Sequence, residues 1–379
     1  MIRSFKIRLY PTKEQEQSMW KHVDCARFIY NYMLAKQEDL YKANEKHLSH
    51  FGMINLLTPL KNDGEHGWLY DVSNTTLQRV CGDLHEAYQG FFAKRTNLPK
   101  FKSKKKSKPT FPIDGVRLWF DEKHFAHIMK IGLVKFKTDF DVPVGRGCKF
   151  INPRVSNIND KWILSFGVEY ENQVFQLNDF SMGIDLGIKD SAIVAYSDKK
   201  LVFPNINKSK KVRSLKNRVR YLQRSISRKY DVNKCGNRYI KTKNIERQEN
   251  KLRKLYARLF GIYNNYIHQS THTLVTLLPK RVVMEDLNVR GMMKNRHLSK
   301  SIQEQCFYEW IRQMKYKCEW RGIEFVQVDR FYPSSKICHN CGCVKSNLKL
   351  SDRIFVCLEC GYTEDRDYNA ALNLMGYGD

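Results

Sequence analysis

No apolar run in these 379 residues approaches the roughly 18 needed to cross a bilayer, which excludes an integral membrane helix. The opening MIRSFKIRLYPTKEQ has no unbroken hydrophobic region, so a secretory signal is not expected. Acidic residues are scarce: 39 Asp and Glu face 66 Lys and Arg, leaving a formal charge of +27. Such an excess repels itself unless a polyanion relieves it, and nucleic acid is the leading candidate. A membrane surface is the weaker one, because no basic helix with a lipid-seeking aromatic face stands out. A hydrophobic fraction of 42% excludes disorder, and the length permits two to three domains. The 11 cysteines, without an export signal, point to reduced thiols or a metal site rather than a disulfide framework.

Phe5, Ile7 and Leu9 alternate with Lys6, Arg8 and Tyr10, the period of a half-buried strand. Pro11 stops it, and Thr12 with Gln15 forms a capping box for a helix that carries Met19, Val23, Ala26, Tyr30 and Leu34. A second helix follows the Ser73/Asn74 signals with Leu77, Cys81, Leu84, Tyr88 and Phe91. Six lysines between Lys100 and Lys108 read as a solvated loop or a phosphate contact. From about 111 to 178, short alternating stretches predict a β-rich module, closed or paired with the first strand, so the helices between would be an insertion.

Residues 208 to 258 hold 19 Lys and Arg and only three acids, Asp231, Glu246 and Glu249. Within and just beyond them, Val212, Leu215, Val219, Leu222 and Ile226, then Leu252, Leu255, Leu259, Ile262 and Tyr266, step by alternating threes and fours. That pattern predicts two helices packed along a narrow seam, joined by a polar turn near Asn233 to Asn237. Their outer face carries one sign of charge, which favours a bound polyanion over an ordinary solvated surface.

Three acids lie in unusual settings. Asp185 sits in SMGIDLG, where Ile184 and Leu186 would face one side of a strand and Asp185 the other. Glu285 ends the apolar run RVVME, and Asp367 lies near the start of a helix bearing Ala370, Ala371 and Leu374. Singly, they could be a turn residue, a rim charge and a helix N-terminal acid. Together they would suit two Mg²⁺ or Mn²⁺ ions, because carboxylates at the ends of buried strands need a compensating cation. Cys338, Cys341, Cys357 and Cys360 form C-x₂-C-x₁₅-C-x₂-C, the spacing of a closed structural Zn²⁺ site; Cys343 is a spare that could compete with Cys341.

These residues carry a resemblance over nearly the whole length: IRLYPTKEQ, PKFKSKKKS, GIDLGIKD, MEDLNVRGMMKNRHLSKSI, VDRFYPSSKICHNCG, SDRIFVCLECG and DRDYNAALN. The chain resembles TnpB, the transposon-encoded RNA-guided nucleases related to type V CRISPR effectors. The resemblance implies an α/β RuvC nuclease domain of ribonuclease H-like fold over residues 179–379, with a zinc ribbon inserted at about 330–362. It further implies a β-barrel wedge domain from residues 1–10 and 96–178, and a helical recognition domain at 11–95. Asp185, Glu285 and Asp367 match the family's three metal-binding carboxylates; in DRDYN the matching position is the second aspartate, not Asp365. The partners implied are a guide RNA from the transposon end and double-stranded DNA beside a short target-adjacent motif, in a bacterial or archaeal cytosol. Contacts to that motif are expected on the helix from Asn74, at Gln78 among others. Two other activities share these features, an RNA-guided repressor without cleavage and a transposase performing strand transfer.

Overall fold

The computed structural model of the chain describes residues 2–138, 140–142, 148–171, 173–349 and 352–378. They form two compact units, residues 1–171 and 172–379.

In the first unit the strand Ile2–Tyr10 is central. It pairs antiparallel with Lys161–Glu169 along its length, from Ile2 opposite Glu169 to Leu9 opposite Trp162, and with Gly132–Lys137 near its end. Ile151–Ile158 and Thr110–Pro112 extend the sheet on one side, Phe125–Ile128 and Trp119–Phe120 on the other. Ile7 and Leu9 are buried while Lys6 and Arg8 are exposed, as the alternation requires. Three strands separate Phe120 from Phe166, which on a flat sheet is about 19 Å. Their rings lie 5.3 Å apart, so the sheet curls around a phenylalanine core. The ladder does not close among the described residues: Thr110–Pro112 and Trp119–Phe120 are its two edges. The expected barrel is therefore a half-barrel, because these edge strands of three and two residues are too short to complete a ladder.

The helices Lys13–Lys42 and Asn74–Phe92 pack on each other and share one core with the sheet. Thr12 and Gln15 cap the first in both directions, at 3.3 and 3.0 Å. Ser73 stands at the N-cap position of the second without a side-chain capping bond. Cys25 and Cys81 are buried between them, and burial pushes both thiols up to about 12.

The second unit is built on a five-stranded sheet in the order Lys199–Pro204, Asp190–Tyr196, Asn178–Asp185, Pro279–Glu285, Glu324–Val328. The first three strands are an antiparallel meander; the last two run parallel to Asn178–Asp185. Parallel neighbours need long crossovers. Here the first crossover is the helical hairpin Lys210–Val232 and Lys243–Thr276, and the second contains Phe307–Glu319. These crossovers bury Met182, Ile184, Val282 and Met284 on one face against Leu274 and Trp310. The last helix, Arg366–Met375, covers the other face. Its approach is so close that a Cβ on Gly183 would sit 2.0 Å from the Ala371 carbonyl oxygen.

The hairpin seam holds Val212, Leu215, Val219, Ile226 and Leu259 buried. Further along the second helix, Tyr263 and Ile267 are buried where Ile262 and Tyr266 were expected, and those two are half-buried. A 3.6-residue turn drifts against a strict three-four step, and Tyr266 turns to meet Trp310. The polar turn contains a small ladder, Lys234–Cys235 with Arg238–Tyr239.

Candidate functional site

Strand alternation places two of the three acids. Met182 and Ile184 face the crossover helices, so Gly183 and Asp185 face the last helix; Val282 and Met284 likewise leave Val283 and Glu285 on that side. Ile184 is paired with Met284 in the parallel ladder, so Asp185 and Glu285 end neighbouring strands at the same edge of the sheet. Asp367 lies in the first turn of the helix crossing that face.

Protein packs densely around Asp185, and this burial raises its carboxyl well above the ordinary range; the charges of Glu285 and Asp367 push it further, and Arg366 opposes them. Burial also raises Glu285, against a hydrogen bond from the Ser334 hydroxyl. Glu285 and Asp367 thus both lie within electrostatic reach of Asp185. Asp365 caps the helix instead, its Oδ1 accepting from the backbone N–H groups of Asp367 and Tyr368, each at 3.1 Å. Arg366 holds Asp367 at 3.0 Å. Carboxylates crowded around one another are a donor set for hard divalent cations, and Asp185 and Glu285 at two strand ends, with Asp367 on the helix facing them, have the chemistry for that role.

Three residues in this arrangement were not singled out by sequence reasoning. Ser334 is buried and donates to Glu285 Oε1. Asn373 donates to the carbonyl oxygens of Ser334 and Ile337, both at 2.7 Å. Asn369 donates to Ile337 O at 2.7 Å and accepts from the His339 N–H at 3.1 Å. The available signal was the pair of asparagines four apart on an otherwise apolar helical stripe, where a buried amide demands a partner.

Cys338, Cys341, Cys357 and Cys360 bring their sulfurs within 4.8 Å of one another, the sole set of three or more metal-binding side chains at that spacing among the described residues. The three carboxylates stand farther apart than this. Gly342 and Gly361, at φ +76° and +72°, form the two knuckles, where Gly342 N–H reaches Cys338 O at 2.8 Å. Asn340 donates its side-chain amide to the Cys360 sulfur at 3.6 Å, a contact that favours the thiolate a metal requires. Four thiols fit a closed Zn²⁺ site. The Cys343 side chain lies outside the set, and its carbonyl accepts from Cys338 N–H at 2.8 Å.

In the first unit, Gln78 lines a cavity of about 360 Å³ with His50, Thr75, Arg79 and Arg154. The lysine loop is more ordered than a solvated tract. The Lys102 backbone exchanges hydrogen bonds with the Asn31 side chain at 2.8 and 2.9 Å, and its ammonium lies 3.5 Å from the Tyr30 ring centroid. In the second unit, basic side chains line cavities on both sides of the helical hairpin, among them Arg213, Arg218 and Lys251 on one and Lys216, Arg220 and Lys300 on the other. No helix is long and apolar enough to cross a membrane among the described residues.

A nucleic-acid-processing protein is the class these features point to, and the family models narrow it to the insertion-sequence type. Residues 1–46 match the helix-turn-helix domain of the OrfB IS605 family, 166–296 its "Probable transposase" domain, and 307–374 the Cas12f1-like TNB domain. A Streptomyces pristinaespiralis protein named "Putative RNA-guided DNA endonuclease" is 30% identical over 381 residues, covering 99% of this chain and 89% of the relative. InsQ of Escherichia coli (strain K12), which bears the same designation, is 30% identical over 100% of this chain and 92% of its own length. The CRISPR-associated endodeoxyribonuclease Cas12f1 of Sulfoacidibacillus thermotolerans is 28% identical over 57% of this chain and 50% of its own length. The chain belongs to the TnpB family.

Proposed function

We propose that the chain is an RNA-guided DNA endonuclease of an insertion-sequence transposon, acting in the cytosol of a bacterium or archaeon. The observation that carries this reading is end-to-end similarity to relatives of that designation, in a chain whose Asp185, Glu285 and Asp367 share one electrostatic site. The five-strand order, with three antiparallel strands followed by two parallel ones, supports a ribonuclease H-like RuvC domain. Asp185, Glu285 and Asp367 would hold two Mg²⁺ or Mn²⁺ ions, and the four cysteines Zn²⁺.

When bound, the divalent ions supply the positive charge that activates the attacking water and stabilises the leaving oxygen of a phosphodiester. The protein's own contribution is positioning. Ser334 fixes one oxygen of Glu285, Asp365 anchors the helix that presents Asp367, and the Arg366 guanidinium steadies one oxygen of Asp367. The basic hairpin neutralises the phosphates of guide RNA and of the RNA–DNA duplex, while base pairing supplies the sequence. The half-barrel and its helices read the short target-adjacent motif, with Gln78 on the cavity wall as a contact.

The deciding experiment uses the protein purified with its RNA and supplied with matching duplex DNA and magnesium. Wild type cuts, and Asp185→Ala retains RNA without cutting. Cutting that persists in Asp185→Ala removes this site from the reaction; RNA-dependent binding without cutting by wild type makes the chain a repressor. Cutting and joining without RNA makes it a transposase.

A further inference from the structure

Between the helix Lys13–Lys42 and the lysine loop lies a second cavity of about 360 Å³, separated from the Gln78 cavity by Asp83 and Arg154, which line both. Its make-up differs from an ordinary surface groove. Trp20 stands at its wall with 37% of its surface exposed, braced edge-on by Trp162 at 5.1 Å between ring centroids. Lys104 and Lys108 lie on the opposite side, on a loop held by the Ser103 and Ser107 hydroxyls, which accept from backbone N–H groups at 3.2 and 3.0 Å. Two carboxylates join the lining: Asp83, paired with Arg154, and Asp24, steadied by Arg27 at 2.8 Å.

A flat apolar ring with cations and carboxylate acceptors beside it matches the parts of one nucleotide. The ring takes a base face, the ammonium groups take its phosphate, and a carboxylate takes an exocyclic amino group. The volume, at the low end for small-ligand sites, suits one such unit. We infer that this cavity receives a single unstacked nucleotide of a bound strand, its base against Trp20 and its phosphate against Lys104 and Lys108. The inference rests on the reading of the chain as an RNA-guided nuclease and names a contact within it. Like-charge crowding supports it: Lys6 and Arg154 lie close enough to repel the Lys108 ammonium, and an incoming phosphate relieves that repulsion. Unstacking a base costs a few kcal/mol, least in a loop or at a strand end, so those are the positions it selects.

Ultraviolet cross-linking of the full-length protein with its co-purified RNA and target DNA, followed by mass spectrometry, tests the assignment. The expected result is a mononucleotide adduct at Trp20 or in the peptide carrying Lys104 and Lys108. A ribonucleotide mass identifies guide RNA as the source, and a deoxyribonucleotide mass identifies DNA. Trp20→Ala should abolish the adduct and weaken binding of that strand about 5- to 100-fold, while Trp20→Phe restores most of it. Because Trp20 also packs on Trp162, the thermal midpoint is measured in parallel, and the exposed pair Lys104→Ala and Lys108→Ala should lower affinity without shifting it. RNA-dependent cutting with no adduct in this region, and unchanged affinity in Trp20→Ala, overturns the pocket and leaves the nuclease reading standing. Absence of any bound nucleic acid overturns both.

Discussion

Asn373 and Ser334 are joined by a 2.7 Å hydrogen bond, from the side-chain amide of the last helix to the backbone carbonyl of the segment entering the zinc ribbon. Ser334 in turn donates its hydroxyl to Glu285. The two contacts tie the helix bearing Asp367 to the strand bearing Glu285, so the relative placement of two acids depends on a residue that is not itself acidic. Asn373→Ala orphans the Ser334 carbonyl and leaves the Ile337 carbonyl with its Asn369 bond alone, a loss of about 1–3 kcal/mol. Cleavage should fall more than tenfold while RNA retention stays unchanged, measured by co-purified RNA and a single-turnover cutting assay.

Gly183→Ala should be far more damaging than its size suggests. The added methyl would meet the Ala371 carbonyl and the Met375 nitrogen at 2.0 and 2.4 Å, both backbone atoms. The helix must lift away, at about 3 kcal/mol or more, and Asp367 moves with it. Denaturant unfolding should show the loss of stability, and cutting should disappear.

Lys317 offers a pH test remote from the acids. Its ammonium is buried, donating to Thr271 Oγ1 at 2.6 Å and His268 O at 2.8 Å, and burial lowers it to about 8. The unfolded chain holds that proton up to its ordinary value near 10.5, so between about 8 and 10.5 the unfolded state binds more protons. Stability contributed here therefore rises with pH across that window. Lys317→Met removes the buried charge, should stabilise the protein by about 1–3 kcal/mol at pH 7, and should flatten the rise in denaturant midpoint.

Chelation of zinc, or Cys338→Ser, should do more than open the ribbon. Ile337 and His339, which flank Cys338, are the partners of Asn369 on the last helix. Losing the ribbon's order therefore loosens the helix of Asp367, so zinc content and cutting should decline together, measured by metal analysis and a nuclease assay.

Binding of RNA should weaken by orders of magnitude between about 50 and 200 mM salt, because phosphate neutralisation dominates it. Arg213→Ala and Arg218→Ala, on the same side of the basic hairpin, should each reduce the slope of log affinity against log salt by about 1. A slope unmoved by either places the phosphates elsewhere.

The parts of the fold legible in the sequence are those written in local periodicity. The Ile2–Tyr10 strand, the Thr12–Gln15 box, the Val212–Ile226 seam and the four cysteines need only neighbours a few residues away, or a spacing. Asp185 and Glu285 were legible because each interrupts an apolar strand, and alternation alone sends them to one face. The clamp from Asn373 through Ser334 was not, since it joins residues 39 apart through a backbone carbonyl that no side-chain pattern marks. The setting of Lys102 was not legible for a related reason. A lysine among lysines looks solvated, and only the fold reveals that Tyr30 and Asn31 lie beneath it. Whether the β-rich module closes was likewise undetermined, because curl and edge length are properties of the assembled sheet.

The long basic hairpin is spliced between an edge strand and a central one, with both of its ends rooted in the same sheet. Ladder register, not the hairpin, aligns Asp185 with Glu285. The hairpin is consequently free to lengthen, shorten or change its charges over evolutionary time without disturbing the aligned pair. Grip on the nucleic acid and alignment of the acids can thus be modified independently, and a designer could exchange one while keeping the other.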